Sequence, residues 1–205
     1  MNAAPASTRS LSIVPIVHAE ADLGSMREPL KRQAQRAGGL AAWAQRQAAI
    51  NAAWQRIEAW ARTLDPARTP TRLFQDGLPV GEQAPRIVED LARSGSPNHQ
   101  ILKLLVDRGA ILTGTEAPDL LLKEYSLMQS AAAGFADEAT RRRYVEQARD
   151  LLDQRDRFIA SRIHETLQPG EHGLLFIGAL HTPWRHLAPD ITHTFPLGVP
   201  ASAHR

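Results

Sequence analysis

The chain has 205 residues, 43% of them hydrophobic, which suits one domain with a real core and falls short of two. Its 24 basic and 22 acidic side chains leave a formal charge of only +2, so it lacks the positive excess of a nonspecific nucleic-acid binder. It has no cysteine, which excludes a disulfide framework, thiol catalysis and any cysteine-ligated zinc or iron–sulfur centre; a metal would fall to its carboxylates and eight histidines.

Residues 1–10 are small and polar and read as a disordered terminus ahead of a single α/β domain over 11–200. Residues 11–18, LSIVPIVH, predict a buried strand, with Pro15 marking an edge, a bulge or a strand end. Arg9, this run and Ala19-Glu20-Ala21 have the outline of a secretory signal. The run is short and carries Ser12 and Pro15, so a cytoplasmic protein is expected instead. No apolar run reaches the roughly 20 residues of a membrane-spanning helix.

Residues 40–64 predict the clearest helix. Trp43, Ile50, Ile57 and Leu64 recur at heptad spacing, and Leu40, Trp54 and Ala61 fill the other seam. Such a stripe packs on a sheet or a neighbouring helix, or it forms a homodimer. Residues 71–75, TRLFQ, read as a short strand closed by the turn pair Asp76-Gly77. Helices follow at 83–94 and 98–109, then the short apolar segment Ala110–Thr113, which runs into Glu116. Pro118 suits the first turn of a helix over 118–130. A long helix covers 137–167, with Val145, Ala148, Leu152, Ile159 and Ile163 as its apolar stripe. The run GLLFIGALH, 173–181, has no alternation, as in a central strand covered on both faces. Ile191–Phe195 is a weaker strand. Alternating strands and helices imply a three-layer α/β sandwich, with a mostly parallel sheet of four or five strands and helices on both faces.

On this scheme polar groups gather at strand ends. His18 closes the first strand, followed by Glu20 and Asp22; Asp76 follows the second, Glu116 the third, and His181 closes the most apolar one. Ligands bind at that edge of an open α/β sheet. Histidine with carboxylate suits zinc, manganese or iron, and the same groups serve as general base and orienting acid without metal. A strand leaving a core also ends in something polar for no further reason. Asp156 lies on the long helix's stripe and Arg155 beside it: an internal ion pair, or an arginine that holds a substrate anion or a catalytic carboxylate. The other histidines carry less. His164 and His172 flank a helix end and read as solvated; His99, His186 and His204 sit in polar contexts; His193 alternates with apolar neighbours. There is no Gly-rich phosphate loop, no GxSxG elbow, no HExxH and no aromatic platform for single strands.

The segment from Arg155-Asp156-Arg157-Phe158-Ile159-Ala160 to Gly178-Ala179-Leu180-His181 resembles the closing motif of the TraB/Tiki-type superfamily, whose wider group includes erythromycin-esterase and ChaN-like proteins. That family has an arginine in its last long helix and then an apolar strand ending in Gly-x-x-His. The resemblance implies a partner after the first strand, here His18 or Glu20, although the motif there reads Val17-His18-Ala19-Glu20. It implies a metal-assisted hydrolase or a haem- or ligand-binding relative.

The leading expectation is a hydrolase-like enzyme acting on a small-molecule or peptide ligand, with or without a divalent metal. His18, Glu20, His181 and Arg155 would be catalytic. His18, Glu20, Glu116 and His181 would hold the metal; Asp76 would be a ligand, a water-activating carboxylate or a substrate contact; Arg155 would hold substrate or orient a carboxylate, and Asp156 would contact substrate. No nucleic-acid or membrane partner is expected. The alternative is a non-enzymatic ligand-binding or regulatory protein that dimerises through helix 40–64.

Overall fold

The computed structural model describes residues 9–17, 27–132 and 134–200. Five strands, β1 (Arg9–Ile16), β2 (Thr71–Gln75), β3 (Ile111–Thr113), β4 (His172–Gly178) and β5 (Ile191–Thr194), form one sheet in the order β3-β2-β4-β1-β5. Every neighbouring pair is parallel. Five helices accompany it: α1 (Arg27–Arg62), α2 (Ala84–Arg93), α3 (Pro97–Asp107), α4 (Pro118–Ala132) and α5 (Glu138–Thr166). A short 3-10 turn, Pro183–His186, follows β4. Among the described residues no helix is long and apolar enough to cross a membrane.

The expected α/β sandwich is present, with helices on both faces of the sheet. Alternation along each strand divides the core in two. Val14, Ile16, Leu73, Leu174 and Phe176 face α1, α2 and α3. Leu11, Ile13, Phe74, Leu175 and Ile177 face Ile159 and Ile163 of α5. Several boundaries differ from expectation. β1 begins at Arg9 rather than residue 11, because the chain can match a buried guanidinium there. Asp190 takes Nε at 2.8 Å, and the carbonyls of His164 and Leu167 take Nη1. Helix α1 starts well before residue 40 and leaves helical geometry at Gly39 (φ 75°, ψ 174°). Of its heptad stripe, Ile50, Trp54, Ile57 and Ala61 are spent on the protein's own core, while Leu40 is 73% exposed. In α5 only Ile159 and Ile163 of the expected stripe are buried; Ala148 and Leu152 are half-buried and Val145 is exposed.

The connection leaving β2 runs outward to β3. The one leaving β4 runs the other way, past β1, to β5. Such a reversal of direction marks the ligand-binding edge of an open α/β sheet, here at the carboxyl ends of β2 and β4.

Candidate functional site

Asp76 is the first residue beyond β2. The chain turns there through Gly77, whose φ of 75° is costly for a residue with a side chain. The turn fastens Asp76 to the neighbouring strand: its N–H donates to Phe176 O at 2.9 Å, and its Oδ2 accepts from Gly178 N–H at 2.9 Å. Glu116 is fixed by a second corner. Its N–H and that of Thr115 both donate to Leu78 O, and Val80 N–H donates back to Glu116 O. This close approach needs Gly114, where a Cβ would lie 2.5 Å from Pro79 O. His181 does not end β4 as expected. The strand stops at Gly178, and a turn closed by His181 N–H to Gly178 O carries the imidazole back over the edge. Exposed Leu180 sits on the outside of that turn.

From the opposite layer α5 contributes adjacent residues. Arg155 Nε donates to Glu116 Oε2 at 3.0 Å and Nη2 to Glu116 Oε1 at 2.6 Å, a bidentate fork. The same Nη2 reaches Asp76 Oδ1 at 2.8 Å, and Nη1 donates to Glu124 of α4. Asp156 Oδ1 lies 2.5 Å from His181 Nδ1, and its Oδ2 accepts from Thr182 N–H at 2.7 Å. Nε2 is then the ring nitrogen facing the carboxylates, 3.7 Å from Asp76 Oδ1. Asp76, Glu116, Arg155, Asp156 and His181 are all buried.

Burial disfavours charge on Glu116 and is the largest influence there; it outweighs the Arg155 contact, so the carboxyl titrates above its ordinary range. Burial also works against a charged His181, but Asp76 and Asp156 overcome it and raise its pKa. The same opposition raises Arg155: burial is outweighed by Glu116, Asp76 and Glu124.

These positions fit a metal. Asp76, Glu116 and His181 each offer a ligand atom, all within 4.8 Å of one another. Two carboxylate oxygens and one imidazole nitrogen suit zinc, manganese or iron. A histidine tied through Nδ1 to a carboxylate and presenting Nε2 is the usual support for a metal ligand. A carboxylate oxygen has two lone pairs, so the Arg155 contacts leave capacity on Asp76 and Glu116.

Of the expected site residues, Asp76, Glu116, Arg155, Asp156 and His181 are brought together. His18 and Glu20 lie outside the described residues, as does Asp22. Arg155 is paired with Glu116, Asp76 and Glu124, and Asp156 with His181 and Thr182, the internal pairing that the sequence allowed for. Asp76, expected as a ligand, a water-activating carboxylate or a substrate contact, stands among the candidate ligands. Glu124 was not anticipated, although it lies one helical turn after buried Leu120 and so shares its inward face. Nor are two other histidines as expected. His172 is half-buried between Ser10 and Ser12, and His99 is buried against Ser96. Compared with known proteins, the chain matches no family model, no curated protein and no solved structure.

Proposed function

We propose that the chain is a hydrolase using one divalent metal ion, held by Asp76, Glu116 and His181 at the carboxyl ends of β2 and β4. The observation that carries this reading is the convergence of those three buried groups, with Nε2 of His181 turned toward the carboxylates. The resemblance of the Arg155–His181 segment to the TraB/Tiki-type superfamily supports the same reading. A divalent ion there would supply Lewis acidity toward a polar bond of the substrate. The protein's part is to hold the carboxylates and the imidazole in place: Arg155 fixes Glu116 and Asp76, and Asp156 fixes the ring of His181. His18 or Glu20 would complete the site from beyond β1, and the ligand would be a small molecule or a peptide.

Metal analysis after mild purification tests this. We expect one zinc, manganese or iron per chain, lost in His181→Ala and in Asp76→Asn. Hydrolysis of a p-nitrophenyl ester would be lost with it. A parent protein that holds no metal when supplied with all three ions ends the proposal. The second reading, a regulatory protein that dimerises through α1, draws on the exposure of Leu40 at the start of the Trp-bearing segment.

A further inference from the structure

Arg155 meets more carboxylate than its one charge requires. Glu116 takes Nε and Nη2, Asp76 shares Nη2, and Glu124 takes Nη1. Glu116 and Asp76 are sealed, with side chains 0% and 4% exposed, whereas Glu124 is 37% exposed. In an ion cluster that served the fold alone, a third anion would be a liability. It adds repulsion to the carboxylates of Asp76, Glu116 and Asp156, which already outnumber Arg155 and His181, and it orders a long side chain to do so.

The excess acquires a purpose if Glu116 and Asp76 turn to a cation. A divalent ion would draw on the oxygens that now hold Arg155. The guanidinium would then lie buried beside a second positive charge with its countercharge diverted, which is among the costliest arrangements in a protein interior. Glu124 binds a different nitrogen, so its contact does not depend on the other two. Its place on α4 is set by apolar anchors on the same helix, Leu120 and Leu127, which pack with Leu151 and Phe158 of α5.

We propose that Glu124 is a positioning residue that keeps Arg155 paired and in place while Glu116 and Asp76 bind the metal. This rests on the metal reading above. Titration calorimetry of the metal-free protein with Zn2+ and with Mn2+ tests it. Glu124→Gln keeps a hydrogen-bond acceptor for Nη1 and removes the charge. It should bind either ion at least about tenfold more weakly. Its metal-free melting temperature should stay the same or rise. Glu124→Asp should recover part of the affinity. Asp119→Asn, one charge fewer on an exposed face of the same helix, should leave affinity unaltered. Unchanged affinity in Glu124→Gln overturns the assignment, and so does an equal loss in Asp119→Asn. A melting temperature that falls together with affinity would make Glu124 a structural residue and likewise overturn it. If the parent binds neither ion, Fe2+ is titrated in their place, and a parent that binds none of the three ends the metal reading and takes this assignment with it. If the parent binds normally and only the Glu124 result is wrong, the metal reading stands.

Discussion

His181 ties the stability of the protein to pH through a single buried proton. Its pKa lies above the ordinary imidazole value of 6.5, because Asp76 and Asp156 outweigh the burial that opposes its charge. The folded state therefore holds this proton more tightly than the unfolded chain does. The resulting stabilisation is complete below pH 6.5 and is lost as pH rises through the raised value. Glu116, raised mainly by burial, acts in the same sense from 4.5 upward. The metal-free protein should thus melt at progressively lower temperature as pH is raised beyond 6.5. His181→Gln should flatten that dependence. A bound cation replaces the proton, so Zn2+ should restore the melting temperature on the alkaline side. A parent protein whose melting temperature is level there, and no different from His181→Gln, would remove the proton from His181.

The elements that shape the site are its two corners, and the second is the more exacting. A Cβ on residue 114 would lie 2.5 Å from Pro79 O and 2.6 Å from Val80 Cα, both backbone atoms. Gly114→Ala must therefore part the two loops whose mutual hydrogen bonds place Glu116. We expect a loss of about 1–3 kcal/mol in urea unfolding, in the range of overpacked interiors. Metal affinity should fall with it, although residue 114 touches no ligand atom. If Gly114→Ala unfolds like the parent, Glu116 is held by something other than this corner. Such corners also decide what the sequence could reveal. The strand over 71–75 is found residue for residue, and the turn pair Asp76-Gly77 closes it where expected. The end of β4 is not: an apolar run shows that residues are buried, and pairing stops where β1 leaves, at Ile16 opposite Gly178. Helices α1 and α5 fail in a related way. Their stripes reveal which side faces a partner, but not that the partner ends before they do. The same logic divides the site. Asp76, Glu116 and His181 were legible as polar groups just past apolar strands. Glu124 was hidden within a helix. The pairing of Asp156 with His181 spans 25 positions that no local pattern connects.

At the scale of the molecule, the dimer reading loses most of the α1 stripe to the protein's own core. A homodimer would have to draw on Leu40 and the half-buried Trp43. Sedimentation at micromolar concentration should then show a dimer that Leu40→Glu dissociates; a parent that sediments as a monomer ends that reading. The order of the strands has a different consequence. β1 pairs with β4 and β5, and β2 with β3 and β4, so the first two strands never touch each other. Until β4 enters the central slot, β1 has no strand to lie against, while its partners wait some 160 positions downstream, as the Ser10–His172 contact at a separation of 162 shows. Closing so long a loop is slow, and an unpaired apolar strand invites association with other chains in the meantime. Newly made protein is therefore at its most vulnerable until β4 has been synthesised. The segment that ends this exposure also delivers Gly178 and His181, so seating the central strand and assembling the candidate metal ligands are one and the same folding event.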